Sequence, residues 1–378
     1  MIKSVIVDAV RSPIGVKRGR MAGNIRPDEL TAQILKVLLE RNPSLPLQNI
    51  EDIILGCGYP EGSQGMLLAR SAAILAGIPI ETGAKVVNRL CGSSMDAIHQ
   101  ISRAVEIGDL EAGIAAGVED MFSIPRGGFN PDYHPELEKQ NYYIEMGLTA
   151  ENLAAELNIS REDQEAFSIA SHEKALAAQA EGRFHHEIVP VELEDGTTVE
   201  ADEGPRTPDL EKIRSLKPAF FNEGTVTAAT SSPLSIGAGA AIVTSRQFAE
   251  NHSLKVRAEI VSRTVLGVEW ERMGIGPLPA TEKAVSLAGL SLDDIDVMEL
   301  NEAFAAQALY VIRKGDWSEE KINLNGGAIA LGHPLGCSGV RILTTLINVM
   351  EQRKATYGLA TMCIGKGQGI TTILRRPT

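Results

Sequence analysis

Four cysteines in 378 residues are too few and too scattered for a disulfide scaffold. Cys57, Cys91, Cys337 and Cys363 form no CxxC pair, so a zinc site is not expected either. The chain is also short of positive charge. Its 36 Lys and Arg stand against 49 Asp and Glu, a net charge of −13. A general nucleic-acid binder needs the opposite balance. No apolar run approaches the ~18 residues that a transmembrane helix requires. Met1–Asp8 opens with a strand-like run, without a secretory apolar region or an Arg- and Ser-rich transit segment. Arg375-Arg376-Pro377-Thr378 carries no peroxisomal tripeptide. The expectation is a bacterial, cytoplasmic protein in a reducing compartment, with no bound metal, no nucleic-acid partner and no membrane partner.

What is present is a soluble globular composition, 44% hydrophobic and 22% charged, in a chain long enough for two or three domains. The chain repeats itself once. Leu45–Leu55 parallels Leu290–Leu300, 245 residues apart, and Glu111–Gly117 parallels Tyr357–Cys363, with Gly113 and Gly358 also 245 apart. Cys91-Gly92-Ser93 is matched to Cys337-Ser338-Gly339 at 246. Within each copy, short continuous apolar runs alternate with amphipathic stretches. Val5–Val7, Ile53–Gly56, Lys85–Val87 and Gly113–Gly117 read as buried strands. Pro27–Glu40 and Ser94–Ile107 read as helices, the first with Pro and acid at its start. This alternation predicts α/β architecture, a mixed, largely parallel sheet with helices on its faces. The stretch 121–232 has no partner in the repeat. Within it, Ile124–Asn141 is rich in Pro, Gly and Tyr and reads as an irregular loop. Ser160–Glu181 reads as a helix with a capping box, and Glu192–Gly204 as a hairpin around Asp195-Gly196.

Four segments far apart in sequence each set a reactive polar residue among small ones. In Asn88-Arg89-Leu90-Cys91-Gly92-Ser93-Ser94-Met95, a cysteine sits at a turn before a helix. Free N–H groups and the positive end of the dipole there favour a thiolate nucleophile. An inert buried thiol is the other reading of such a cysteine. Asn301-Glu302-Ala303-Phe304 follows a strand-like run. Gly332-His333-Pro334 places one histidine in a glycine-dense loop. The other six (His99, His134, His172, His185, His186, His252) have no comparable setting. Met362-Cys363-Ile364-Gly365 sets a second thiol in a glycine run, where the residues alone read as easily as filler.

Taken together, these four segments resemble the thiolase family along nearly the whole chain. The wording of the Cys91 motif resembles bacterial 3-ketoacyl-CoA thiolases of fatty-acid β-oxidation. The resemblance implies a duplicated α-β-α-β-α five-layer fold with an inserted loop domain. Residues 1–120 would form the N-terminal half, completed by about 233–255. Residues 121–232 would form the loop domain that covers the site and binds coenzyme A, and 256–378 the C-terminal half. It implies Cys91 as nucleophile and Cys363 as acid/base, with His333 activating Cys91 and then meeting an oxyanion. Asn301 would hold a water beside His333. The amides of Cys91 and Gly365 would form a second oxyanion hole, and Glu302 would orient its neighbours. Ser232 and Met146 would line the pantetheine and substrate, with Arg206 and, less directly, Arg214 toward the phosphate end. Pro233 and Ile236 stand where the family usually has a small residue and an Asp, a departure at the pantetheine wall. Cys337 and Cys57 read as packing.

Acyl-CoA and CoA are then the substrates, with CoA a co-substrate and no permanently bound cofactor. Any CoA phosphate contact in so acidic a chain must come from a local basic patch. The implied assembly is a homo-oligomer, dimer or tetramer, and some relatives also join a β-oxidation α-subunit. Three rival readings are an acetoacetyl-CoA-specific biosynthetic thiolase, a decarboxylating ketoacyl synthase and a non-catalytic lipid-binding relative. The synthase pairs its Cys with two histidines, whereas the third position here is Cys363. A binder needs none of the four reactive residues.

Overall fold

Strand β1 (Ser4–Arg11) is buried along its whole length, because helices cover both faces of the sheet it belongs to. Val5, Val7 and Val10 enter one apolar cluster, while Ile6 and Ala9 enter another. That is why the run reads as continuous and not alternating. The computed structural model describes residues 3–377; Met1, Ile2 and Thr378, which belong to the terminal runs noted above, lie outside the described residues.

The remaining main strands are β2 (Ile50–Gly56), β3 (Gly83–Val87), β4 (Ala112–Asp120), β5 (Ser235–Ser245), β6 (Ala258–Gly267), β7 (Val297–Leu300), β8 (Tyr357–Ile364) and β9 (Gln368–Arg375). They run side by side in the order β7-β8-β9-β6-β1-β5-β4-β2-β3, and the two-residue strand Gly15–Val16 pairs with β5. In the first half β1–β5 and β5–β4 are antiparallel, and β4–β2 and β2–β3 parallel. The second half repeats this. There β6–β9 and β9–β8 are antiparallel and β8–β7 parallel, and one parallel bridge, Met298 to Ile322, stands where a fifth strand would lie. The two halves meet through a short antiparallel junction, Val5 with Glu259 and Ile6 with Ala258. This joins what the repeat suggests as two sheets into one, and it occupies two strand edges that would otherwise be open.

Helix Pro27–Glu40 covers the outer face of the first half, and Pro277–Ala288 that of the second. Between the halves lie Ser93–Ile107 and Ser338–Arg353, which touch each other and the strands on both sides. Five layers result, with the thiolase-like order α-β-α-β-α. Around the reactive turns the structural repeat keeps a spacing of 245: strands start at 112 and 357, helices at 93 and 338, and the turns Leu90–Gly92 and Leu335–Cys337 correspond. The matching of Cys91 to Cys337 is therefore off by one. Gly336 is the counterpart of Cys91, and Cys337 that of Gly92, so the two cysteines stand one residue out of register. Cys337 and Cys57 are fully buried.

Residues 121–232 add no strand to the main sheet. The expected hairpin is present as Val191–Glu192 against Thr198–Val199. The loop over 124–141 is interrupted by a short helix, Pro135–Lys139. Helix Arg161–Ala180 is capped by the Ser160 hydroxyl accepting from the Asp163 amide at 3.0 Å, but the Asp163 carboxylate turns to Arg313 (2.9 Å), so the box is half closed. The segment is fastened to β1 by a dry ionic cluster. Arg11 donates to Glu187 at 2.7 Å and to both Asp202 oxygens at 2.7 and 2.9 Å, with all three side chains sealed from solvent.

Replacing Arg11 by Ala leaves two buried carboxylates without their cation, although Thr345, Asn348 and the Ile14 amide still donate to them. The expected cost is about 3–5 kcal/mol, read as a lower guanidinium-chloride midpoint; an unchanged midpoint would contradict the assignment of this cluster as a fastening.

Candidate active site

The turn that carries Cys91 is built by its own neighbours. Asn88 Oδ1 accepts from the Leu90 amide at 2.8 Å, and Asn88 Nδ2 donates to the Gly58 carbonyl at 2.8 Å. The Ser93 hydroxyl accepts from the Arg89 amide at 2.9 Å and donates to the Leu90 carbonyl at 2.6 Å. Leu90 is held at φ +45°, an uncommon value for a branched side chain. Gly92 is required by contact: a Cβ there would stand 2.6 Å from Ile364 Cδ1. That close approach brings the Cys91 turn onto the end of β8, where Cys363 and Gly365 lie. Cys91 is half-buried and Cys363 buried, and a charge on either thiol would bear on the other.

His333 arrives from the opposite side. Gly332 carries φ +117°, and a Cβ on it would collide with Ser235 and Ile14. The His333 amide donates to Ser235 Oγ at 3.1 Å. The turn 335–337 that follows packs on the turn 90–92. His333 Nδ1 lies 2.6 Å from Ser338 Oγ, whose own proton goes to the Pro334 carbonyl at 2.9 Å. With that proton on the carbonyl the hydroxyl accepts from the ring, an arrangement that puts the hydrogen on Nδ1 and leaves Nε2 its lone pair. Asn301 Nδ2 stands 3.4 Å from that Nε2, while Asn301 Oδ1 is buried with no partner. An unpartnered buried amide oxygen fits a water or substrate donor.

The backbone behind these groups is held by carboxylates. Glu302 accepts from Ser171 (2.7 Å), Asn323 (2.8 Å) and the Ile329 amide (3.1 Å), tying the strand end to the loop before His333 and to helix Arg161–Ala180. Glu119 accepts from the amides of Gly58 (2.6 Å), Tyr59 (3.1 Å) and Gly336 (2.8 Å). Neither Glu119 nor Ser338 stood out in the sequence. An acid ending a fully apolar strand, and a hydroxyl five residues after the histidine, were the available signals.

Burial sets the electrostatics. The Cys91 thiol is pushed up to about 11, with the Gly365 and Cys91 amides opposing the rise. Burial raises Cys363 further, and proximity to Cys91 adds to this. His333 is pulled down to about 3 by burial and by the nearby Arg341. The thiolate expected from the helix terminus is thus corrected: the resting thiol is protonated, because desolvation outweighs the dipole.

Met146 opens its helix with its sulfur 3.5 Å from where a Gly365 Cβ would be. The Ser232 amide donates to the Ala303 carbonyl at 3.0 Å, next to Asn301 and Glu302. Arg206 lies outside this convergence. Its exposed guanidinium reaches only the Gly204 carbonyl at 3.3 Å and faces Arg18. Arg214 is likewise exposed, on the short helix Leu210–Ser215. Among the described residues no cluster of His, Cys, Asp and Glu is placed to hold a metal, and no helix is long and apolar enough to cross a membrane.

Residues 4–247 match the family model for the thiolase N-terminal domain and residues 254–376 that for the thiolase C-terminal domain. The chain is 50% identical to a 3-ketoacyl-CoA thiolase of Shewanella frigidimarina, with all of both chains covered. It is 49% identical to one of Vibrio vulnificus over 99% of each chain. Its structure superposes on the crystal structure of human mitochondrial 3-ketoacyl-CoA thiolase with a TM-score of 0.93 at 35% identity, covering 100% of this chain and 99% of that one.

With the other three thiols fully buried, iodoacetamide should label Cys91 first. The labelling rate should rise about tenfold per pH unit between 7 and 9, since the thiolate is the reactive form. A plateau below pH 8, followed by mass spectrometry, would mean a neutral-pH thiolate and contradict the geometry.

Proposed function

The chain belongs to the thiolase family, and on that premise we propose that it cleaves 3-ketoacyl-CoA with CoA, giving acetyl-CoA and a shortened acyl-CoA, in fatty-acid β-oxidation. The observation that carries this reading is the convergence of two thiols, one neutral imidazole and an unpaired amide oxygen from four distant segments.

His333 Nε2 takes the proton of Cys91 as its sulfur attacks the 3-keto carbon. The amides of Cys91 and Gly365 receive the oxyanion. The C2–C3 bond then breaks. Its electron pair becomes the enolate of acetyl-CoA, which the His333 and Asn301 side stabilises and Cys363 protonates. The Cys363 thiolate takes the proton of incoming CoA, the CoA sulfur displaces Cys91 from the acyl thioester, and His333 returns its proton to the departing Cys91 thiolate. Cys363 ends as it began. CoA is a co-substrate, and no step calls on a permanently bound cofactor. The raised Cys363 thiol fits this cycle, since it holds its proton until a strongly basic enolate forms beside it.

Residues 121–232 serve as the loop domain over the site. Met146 lines the acyl side, Ser232 the pantetheine, and Arg206 with Arg214 the phosphate end. The assembly is a two-fold dimer, or a dimer of such dimers, located in the cytoplasm. Support comes from β3, the outermost and half-exposed strand of the sheet, flanked by exposed Ile74, Leu75 and Ile80. An edge of this kind pairs readily with its own copy.

Loss of the enolate–Mg²⁺ absorbance of a 3-ketoacyl-CoA should require free CoA; no loss would indicate a binding protein. Cys91→Ala should abolish turnover and acyl-enzyme formation. Cys363→Ser should still acylate Cys91 from an acyl-CoA but lose about 10²–10⁴ in cleavage rate. An acyl adduct on Cys363, with Cys91 free, would reverse the roles. Light scattering at micromolar concentration should give a multiple of 40.5 kDa, and a monomer would contradict the proposed assembly.

A further inference from the structure

The turn between β8 and β9 is Gly365-Lys366-Gly367, and Lys366 stands at φ +67°. A side chain in the left-handed region is strained, and such strain persists only where the surroundings impose it. Here the surroundings form a cage. The Lys366 ammonium lies 5.1 Å from the centre of the Tyr142 ring and 4.9 Å from that of Tyr143. It donates to the Tyr142 carbonyl at 3.2 Å. Tyr133 stacks on Tyr143 at 4.3 Å, and Trp270 sets its edge to Tyr142 at 5.7 Å. The indole N–H of Trp270 donates to the Gln140 carbonyl at 3.2 Å. Trp270 is held against the same turn, for the Val268 amide donates to the Gly367 carbonyl at 2.8 Å and a Gly367 Cβ would meet the Trp270 backbone at 2.9 Å.

Both ends of this cage reach the reacting atoms. On one side, Lys366 is the next residue after Gly365, whose amide faces the Cys91 sulfur. On the other, the chain runs from Tyr143 through two residues to Met146, whose sulfur borders Gly365. A half-buried cation between two ring faces is held by electrostatics as well as by its hydrogen bond.

We infer that Lys366 is a positioning residue: the tyrosine cage grips its ammonium, and that grip fixes the Gly365 amide toward Cys91 while docking segment 133–145 beside the substrate. The inference rests on the thiolase reading for the role of the Gly365 amide. An oxyanion donor moved by a fraction of an ångström stabilises the transition state less, although the substrate still binds.

The experiment compares wild type with Lys366→Gly, Lys366→Met and Lys366→Arg. The readouts are kcat, KM for both substrates, melting temperature and amide hydrogen exchange over 133–145. Glycine suits the turn, so Lys366→Gly should fold with an unchanged or higher melting temperature. Its kcat should nevertheless fall about tenfold, with KM within about twofold and faster exchange over 133–145. Lys366→Met should behave alike. Lys366→Arg, which keeps a cation for the rings, should restore kcat to within about twofold of wild type. Wild-type kcat and exchange in Lys366→Gly would overturn the inference, as would a loss that Lys366→Arg fails to restore. If wild type shows no thiolysis, the functional reading fails; freed exchange in Lys366→Gly would still show the cage at work.

Discussion

Helices Ser93–Ile107 and Ser338–Arg353 touch at their N-terminal ends, and every reactive group hangs on that contact. The Val340 amide donates to Ser94 Oγ at 2.9 Å, and a Cβ on Gly339 would stand 2.3 Å from the Met95 amide nitrogen. So close a crossing superimposes two helix starts. One carries the Cys91 turn just before it. The other carries Ser338, the hydroxyl that orients His333. The strand ends that supply Asn301 and Cys363 belong to the second half, and they close on the same point because β7 and β8 are neighbours in the sheet. Duplication of one layered unit thus produces a site with no internal symmetry. The same turn carries a cysteine in one copy and Gly336 in the other.

Placing this contact in the middle layer has an electrostatic consequence. Charged forms are disfavoured there, and the neutral forms of both thiols and of the imidazole prevail. A rise of Cys91 from 9.0 to about 11 corresponds to ~3 kcal/mol against ionisation, whereas a helix terminus offers ~0.3–1 kcal/mol in its favour. The neutral resting state suits a mechanism in which charge appears only as substrate arrives. The imidazole, unprotonated at Nε2, is ready to accept a proton without first having to lose one.

The inserted segment 121–232 is bound to this centre by three unlike means. The dry cluster of Arg11, Glu187 and Asp202 anchors its far end to β1. Glu302 links helix Arg161–Ala180 to the strand end beside Asn301. The rings around Lys366 bind its early part to the Cys363 turn. The second and third ties end within a few residues of Asn301 and Cys363, so the inserted segment and those turns are positioned together.

The sequence by itself determined the local chemistry. Continuous apolar runs named the buried strands, the 245-residue repeat named the duplication, and Asn88 and Ser93 encode their turn through hydrogen bonds within five residues. The four reactive segments were legible because each sets a polar residue among glycines where backbone must come close. Tertiary structure decided what depends on distance between segments. It paired β1 with β6 into one sheet and brought Ser338 and Glu119 to the site. It also reversed the expected ionisation of Cys91. Helix ends and glycine turns are properties of neighbours in the chain, whereas desolvation and the partners of a buried polar atom are set by which layers close over it.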